Sequence, residues 1–166
     1  MKQIKRKTLT LLSFIVFTTF DMTMAPLAHA HTCSTSTGAG SWGFTVTGSV
    51  ILPTGAQISV AQVGNYTQDR QGNLSGRQTR SIGGKVAQET FTGTASTNRD
   101  CTGTATITVY DNASGALVRI TTLDFVLDDD GNRARSIVTS IVLPDGTNLG
   151  PLLTLDYRRV FSNGNN

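Results

Sequence analysis

The sequence predicts an all-β fold, an eight-stranded antiparallel up-and-down β-barrel, and three observations carry that prediction. Apolar and polar residues alternate with a period of two through eight successive stretches. Gly, Asn, Asp and Pro clusters punctuate most of the junctions between them. No helical apolar period intervenes, so the crossovers that a parallel sheet needs are missing. Eight hairpin-linked strands suit a closed barrel, because closure removes the exposed edges of a flat sheet. The alternative is a two-sheet β-sandwich, which calls for longer crossing connections than the short turns found here.

The first 30 residues read as a secretory signal. Lys2, Lys5, Arg6 and Lys7 form a basic start, residues 9–20 are apolar, and Ala28-His29-Ala30 fits the small-x-small cleavage rule. The expected organisation is therefore a signal peptide over 1–30 and one β-barrel domain over 31–166, in a secreted or periplasmic protein. No stretch after residue 30 is apolar enough to cross a membrane as a helix. The formal charge of +3 belongs to the leader: four of the fourteen basic residues and one of the eleven acids fall within it. The remainder is close to neutral, which gives no support for nucleic-acid or anionic-membrane binding. Its two cysteines, Cys33 and Cys101, admit one intramolecular pairing and are expected to form a disulfide in an oxidising compartment.

The strands are expected in this order. Over 41–52, Trp42, Phe44, Val46, Val50 and Leu52 share one parity, and Pro53-Thr54-Gly55 ends the run. The second strand covers 57–68, with Ile58, Val60 and Tyr66 on one parity. Asp69 to Asn73 turns into a polar third strand over 74–82, and Gly83-Gly84 is a tight hairpin signal. The fourth strand, 85–96, and the fifth, 102–110, are joined through Asn98-Arg99-Asp100 between two copies of Thr-Gly-Thr-Ala. The sixth, 117–127, is apolar on both parities and is expected to be the best buried. The seventh covers 135–143 and the eighth 152–161. Gly43, Gly48, Gly64, Gly76, Gly93 and Gly103 lie inside strands, as strongly bent strands require.

The strings Trp42-Gly43-Phe44, Asp69-x-x-Gly72-Asn73-x-Ser75-Gly76 and Asn98-Arg99-Asp100-Cys101-Thr102-Gly103-Thr104 resemble those of a family of small exported bacterial β-proteins with an Asp-Cys-Thr-Gly-Thr motif. The resemblance covers most of the chain after the leader. It implies no activity and no catalytic residues. Where related sequences often have an aromatic after Thr-Gly-Thr, this chain has Ala95, which would enlarge a local pocket. In architecture the pattern is similar to lipocalin-like and allene oxide cyclase-like barrels, and Gly40-Ser41-Trp42 matches the spacing of the lipocalin Gly-x-Trp entry motif.

Chemistry-bearing residues are few. His29 and His31 are the only histidines, so neither a Ser-His-Asp triad nor a His-rich metal site can be assembled. Asp128-Asp129-Asp130-Gly131-Asn132 lacks the alternating acids and closing Glu of an EF-type calcium loop and reads as a turn. No metal and no cofactor is expected. Glu89 and Asp124 are carboxylates that share a strand parity with apolar residues. If those parities line the barrel, both need partners such as Arg77, Arg80, Arg119 or Arg158.

Tyr66, Tyr110, Tyr157, Trp42 and Phe125 are candidates to line a cavity or to fill the core. The expected ligand-binding set is Tyr66, Arg80, Glu89, Asp124 and Tyr157. The first functional expectation is a binder of a small, partly apolar ligand or a surface molecule. The second is a cofactor-independent cyclase or isomerase that uses a lumenal carboxylate. The third is a structural envelope or matrix module with a filled core. Nothing in the sequence sets the oligomeric state.

Overall fold

In a computed structural model, which describes residues 32–160, eight antiparallel strands close into a barrel in which each strand pairs with the next and the last returns to the first. The strands are β1 (Gly40–Ile51), β2 (Gln57–Gln68), β3 (Asn73–Ile82), β4 (Lys85–Thr97), β5 (Thr102–Asp111), β6 (Leu117–Asp128), β7 (Arg133–Val142) and β8 (Asn148–Arg159). The expected leader, with its cleavage site, lies outside the described residues. So does Phe161, which was expected to extend the eighth strand. Short 3-10 turns, Thr35–Gly38 and Asp129–Gly131, are the only helical pieces among the described residues. Neither of these is long and apolar enough to cross a membrane.

Up-and-down connectivity sorts the turns to two ends. The β1–β2, β3–β4, β5–β6 and β7–β8 turns gather at one, here called the hairpin end. The other three turns lie at the opposite end with the chain lead-in before β1, here called the tethered end. At the hairpin end Gly83 (φ 54) and Gly84 (φ 82) both take the left-handed backbone that a two-residue primed turn demands.

Side chains of one parity fill the inside: Trp42, Phe44 and Val46 from β1, Val60 from β2, Leu74 from β3, Phe91 from β4, Val109 from β5. Three inward glycines each face a phenylalanine directly across the ladder: Gly64 opposite Phe44, Gly76 opposite Phe91, Gly103 opposite Phe125. A Cβ on Gly64 would stand 2.7 Å from the Phe44 ring edge, and one on Gly76 2.5 Å from that of Phe91. Each ring therefore lies along the wall over a residue without a side chain, an arrangement that stabilises bent strands and keeps the rings off the barrel axis.

Two expectations need correction. β6 is not the best-buried strand: Leu117 and Ile120 are each 39% exposed, whereas β1 buries Trp42, Phe44, Val46, Ser49 and Val50. A strand apolar on both parities was mistaken for one covered on both sides, but the outer face of a barrel has nothing packed upon it. The eighth strand starts at Asn148, four residues earlier than expected. Pro151 therefore lies inside the strand. It is tolerated because the β7–β8 ladder is interrupted between Ile137 and Ile141, so no partner there asks for the missing N–H, while the β1 pairing continues through Val50↔Pro151.

The disulfide joins Cys33 to Cys101, with Cα atoms 4.9 Å apart. Cys101 ends the β4–β5 turn with a left-handed φ of 69. The turn is closed by Asn98 N–H donating to Thr102 O (2.7 Å) and by Thr102 donating to the Asp100 carboxylate through its N–H (3.1 Å) and hydroxyl (2.7 Å). The bridge suits an oxidising compartment.

Candidate ligand-binding site

The barrel encloses a cavity of about 260 Å³. Its wall is mostly apolar, with Val46, Val60, Ile107, Leu123, Val138 and Leu153 among the contributors. Polar groups concentrate at its two ends and differ in kind.

At the tethered end the lead-in folds under the barrel. Cys33 N–H donates to Arg99 O (3.1 Å), Thr97 N–H to the Thr35 hydroxyl (3.3 Å), and Gln68 Nε2 to Thr35 O (3.3 Å). Trp42 is 1% exposed, and its indole N–H donates to Gly38 O (2.8 Å). The Arg159 guanidinium carbon sits 4.8 Å from the centre of the Trp42 ring. Its Nη2 donates to Thr37 O (2.6 Å), its Nε to Gly131 O (3.0 Å) and its Nη1 to Ala39 O. Four backbone carbonyls are thus gathered by two side chains, and the end is shut. The buried Thr97 hydroxyl on the cavity wall has no partner among the described residues.

Above it, Phe44 contacts Tyr66, Phe91 and Tyr157 with ring centres 5.8 to 6.1 Å apart. Tyr157 shares a hydrogen bond with Ser136 (3.1 Å). Burial pushes the hydroxyls of both Tyr66 and Tyr157 well above the usual phenol range, so both stay protonated as donors.

Toward the hairpin end stands a charged cluster around Glu89, itself 1% exposed. Arg119 grips both carboxylate oxygens (2.9 and 2.9 Å), reaching past β5 from β6. Gln78, directly opposite on β3, donates to Oε2 (2.8 Å), and Arg80 Nε donates to Oε1. Burial alone would push the Glu89 carboxyl up. Arg119, Gln78 and Arg80 outweigh that and hold it below the usual range. Each oxygen accepts two hydrogen bonds, so the carboxylate is saturated. Arg80 and Arg119 both line the cavity. Arg119 is buried, whereas the Arg80 side chain is 20% exposed.

Of the five residues expected from sequence, four face the interior. Tyr66, Arg80 and Tyr157 line the cavity, and Glu89 lies behind Arg80 and Arg119 in the same wall. Asp124 does not join them. It is exposed on the outer face of β6, between Thr104 and Ile137 in the ladder. The parity argument grouped it with Val118, which does line the cavity. It also grouped Asp124 with Ile120 and Val126, and these share its outward parity: the inner face of β6 is the other one, with Leu123, Phe125 and Leu127, and only Val118, beside the register shift at Tyr110, departs from it.

Trp42, Phe125 and Ala95 also line the cavity; Tyr110 does not contribute to it. Of the proposed Arg partners, Arg77 and Arg158 are exposed. Gln78 and Arg159 were overlooked. Gln78 shares the parity of Arg80 two residues on, a signal that was present, whereas nothing near Arg159 in sequence points to the carbonyls it gathers. No group of three or more metal-ligating side chains occurs among the described residues. No protein-family model matches the chain, and no curated protein matches it. The closed barrel is compatible with a lipocalin-like architecture.

Proposed function

We propose that the chain is an exported binding protein that holds one small, largely apolar molecule inside the barrel. The observation that carries this reading is the cavity itself: about 260 Å³ of space on the barrel axis, apolar along its length and shut at the tethered end. Eight strands leave room for either packed side chains or one small ligand. Here the phenylalanines that could fill the centre lie along the wall over Gly64, Gly76 and Gly103. A purely structural module would gain more from filling that space, since each buried void forgoes packing energy.

The catalytic alternative finds little support. A lumenal general acid or base needs a carboxyl near the working pH, and Glu89 is saturated with donors and held low. Export is inferred from the leader, in agreement with the disulfide.

Native mass spectrometry of the protein purified from its source organism tests the reading. The expected result is an added mass that is released on unfolding. A bare polypeptide mass, together with no uptake of the neutral apolar dye N-phenyl-1-naphthylamine, would overturn it.

A further inference from the structure

The geometry points to a ligand with a singly charged anionic head, of carboxylate type, seated against Arg80 and Arg119, with its apolar tail extending toward Tyr66 and Trp42. This deepens the proposed function and rests on it. The cavity wall carries two guanidinium groups, and the one carboxylate that touches them, Glu89, neutralises one. Asp111, at the end of β5, is near enough to feel Arg80, but its carboxylate caps the following turn by accepting from Ala113 N–H (3.2 Å) and Ser114 N–H (2.8 Å). Thr97, at the far end, is neutral and sets no charge requirement.

The two arginines are not equivalent. Arg119 has both terminal nitrogens on Glu89. Arg80 reaches Glu89 through Nε alone, so its two terminal nitrogens make no hydrogen bond to any described residue while the side chain borders the cavity. Two parallel N–H donors from a guanidinium match a carboxylate in a bidentate pair. In a low-dielectric lumen an excess cation favours an anion far more than it would in water. A single excess charge selects a monoanion, and the uncharged, mostly apolar remainder of the wall selects a tail without charge.

The test compares three probes with one tail, decanoate, decanol and decylammonium, by displacement of N-phenyl-1-naphthylamine from the full chain. The expected order is decanoate tighter than decanol by about tenfold or more, with decylammonium weakest. In Arg80→Met the decanoate-to-decanol ratio should fall toward one. Arg80→Lys keeps the charge without the fork and should retain part of it. Glu89→Gln, which leaves a second cation uncompensated, should raise it. Two of these variants lower the ratio and one raises it, so poor folding of one leaves the inference open to refutation by the others. If the dye and decanol bind but decanoate binds no better, or if the ratio is indifferent to Arg80, the anionic head is overturned while the apolar cavity reading stands. If neither the dye nor any probe binds, the binding reading falls and takes this inference with it.

Discussion

At the tethered end Arg159 turns its guanidinium onto three backbone carbonyls and the face of Trp42, while at the other side of the cavity Arg119 and Arg80 turn theirs onto the carboxylate of Glu89. Both arrangements place cations in the barrel wall, yet they serve different ends. Carbonyls are neutral and fixed by the backbone, so Arg159 with Trp42 makes a permanent closure, reinforced by the Cys33–Cys101 bridge. Glu89 is a titratable charge whose saturation depends on three side chains arriving from β3 and β6. The first end is architecture. The second holds donors in excess of its acceptors, the condition under which a ligand can complete a site.

The largest expected effect breaks the charged cluster. Arg119→Met leaves Glu89 buried with its principal partner gone, and removal of one member of a buried pair costs on the order of 3–5 kcal/mol. Guanidinium unfolding should show that loss. The double change Glu89→Met with Arg119→Met should recover most of it, because the one charge left there, Arg80, has a side chain that is 20% exposed. Equal instability of both variants would mean that packing, and not charge, holds that wall.

Breaking the tethered end comes next. The cross-link spans a separation of 68 residues, and its loss should cost roughly 2–4 kcal/mol. Cys33→Ala with Cys101→Ala, or reduction, is the means. Trp42 is the only tryptophan in the chain and its indole bonds to Gly38, in the same lead-in as Cys33. Its fluorescence should shift to the red in the native baseline as the lead-in loosens, and Arg119→Met should not produce that shift. A smaller loss, about 1–3 kcal/mol, is expected from Gly103→Ala in the wall between the ends, because the new methyl would collide with the Phe125 ring and Ser96 O. A thermal midpoint equal to that of the parent would show that the wall yields.

These contrasts were unequally legible in the sequence. The barrel was, because alternation and turn chemistry are local: the second strand was expected over 57–68 and is Gln57–Gln68. The disulfide was too, since two cysteines leave one pairing. Glu89 could be placed inside because β4 keeps a clean parity from Ala87 through Phe91. Asp124 could not, because β6 is apolar on both parities, so alternation alone does not say whether Ile120 and Val126 or Leu123 and Leu127 face inward. What assembles around Glu89 was only half visible. Arg119 reaches it across an intervening strand, a contact set by barrel curvature and strand tilt, which no spacing along the chain encodes. The closure by Arg159 is more remote still: its carbonyl partners Thr37 and Ala39 lie 122 and 120 positions away.

The gentlest way to separate the two ends is acid. Glu89 is held below the ordinary carboxylate value in the folded state, so folding stability from this group is fully present above that ordinary value, about 4.3. It is lost as pH falls through the lower, folded value. Asp69, Asp100, Asp111 and Asp145 are also held low by turn hydrogen bonds, and their exposed carboxylates tilt the whole curve in the same direction. The comparison that isolates Glu89 is therefore between the parent and Glu89→Gln, unfolded in urea at pH 7 and at pH 3. The parent should be the more stable at pH 7, and the gap should narrow at pH 3, because the Glu89 carboxyl of the unfolded chain takes up a proton at a higher pH than the folded one and Gln takes up none. The tethered end has no part in this change, because the carbonyls that receive Arg159 and Trp42 do not titrate. Native Trp42 emission should accordingly stay constant across the same range. A gap indifferent to pH would mean that Glu89 binds its proton equally readily in the folded and the unfolded chain, and that Arg119, Gln78 and Arg80 do no more than offset its burial.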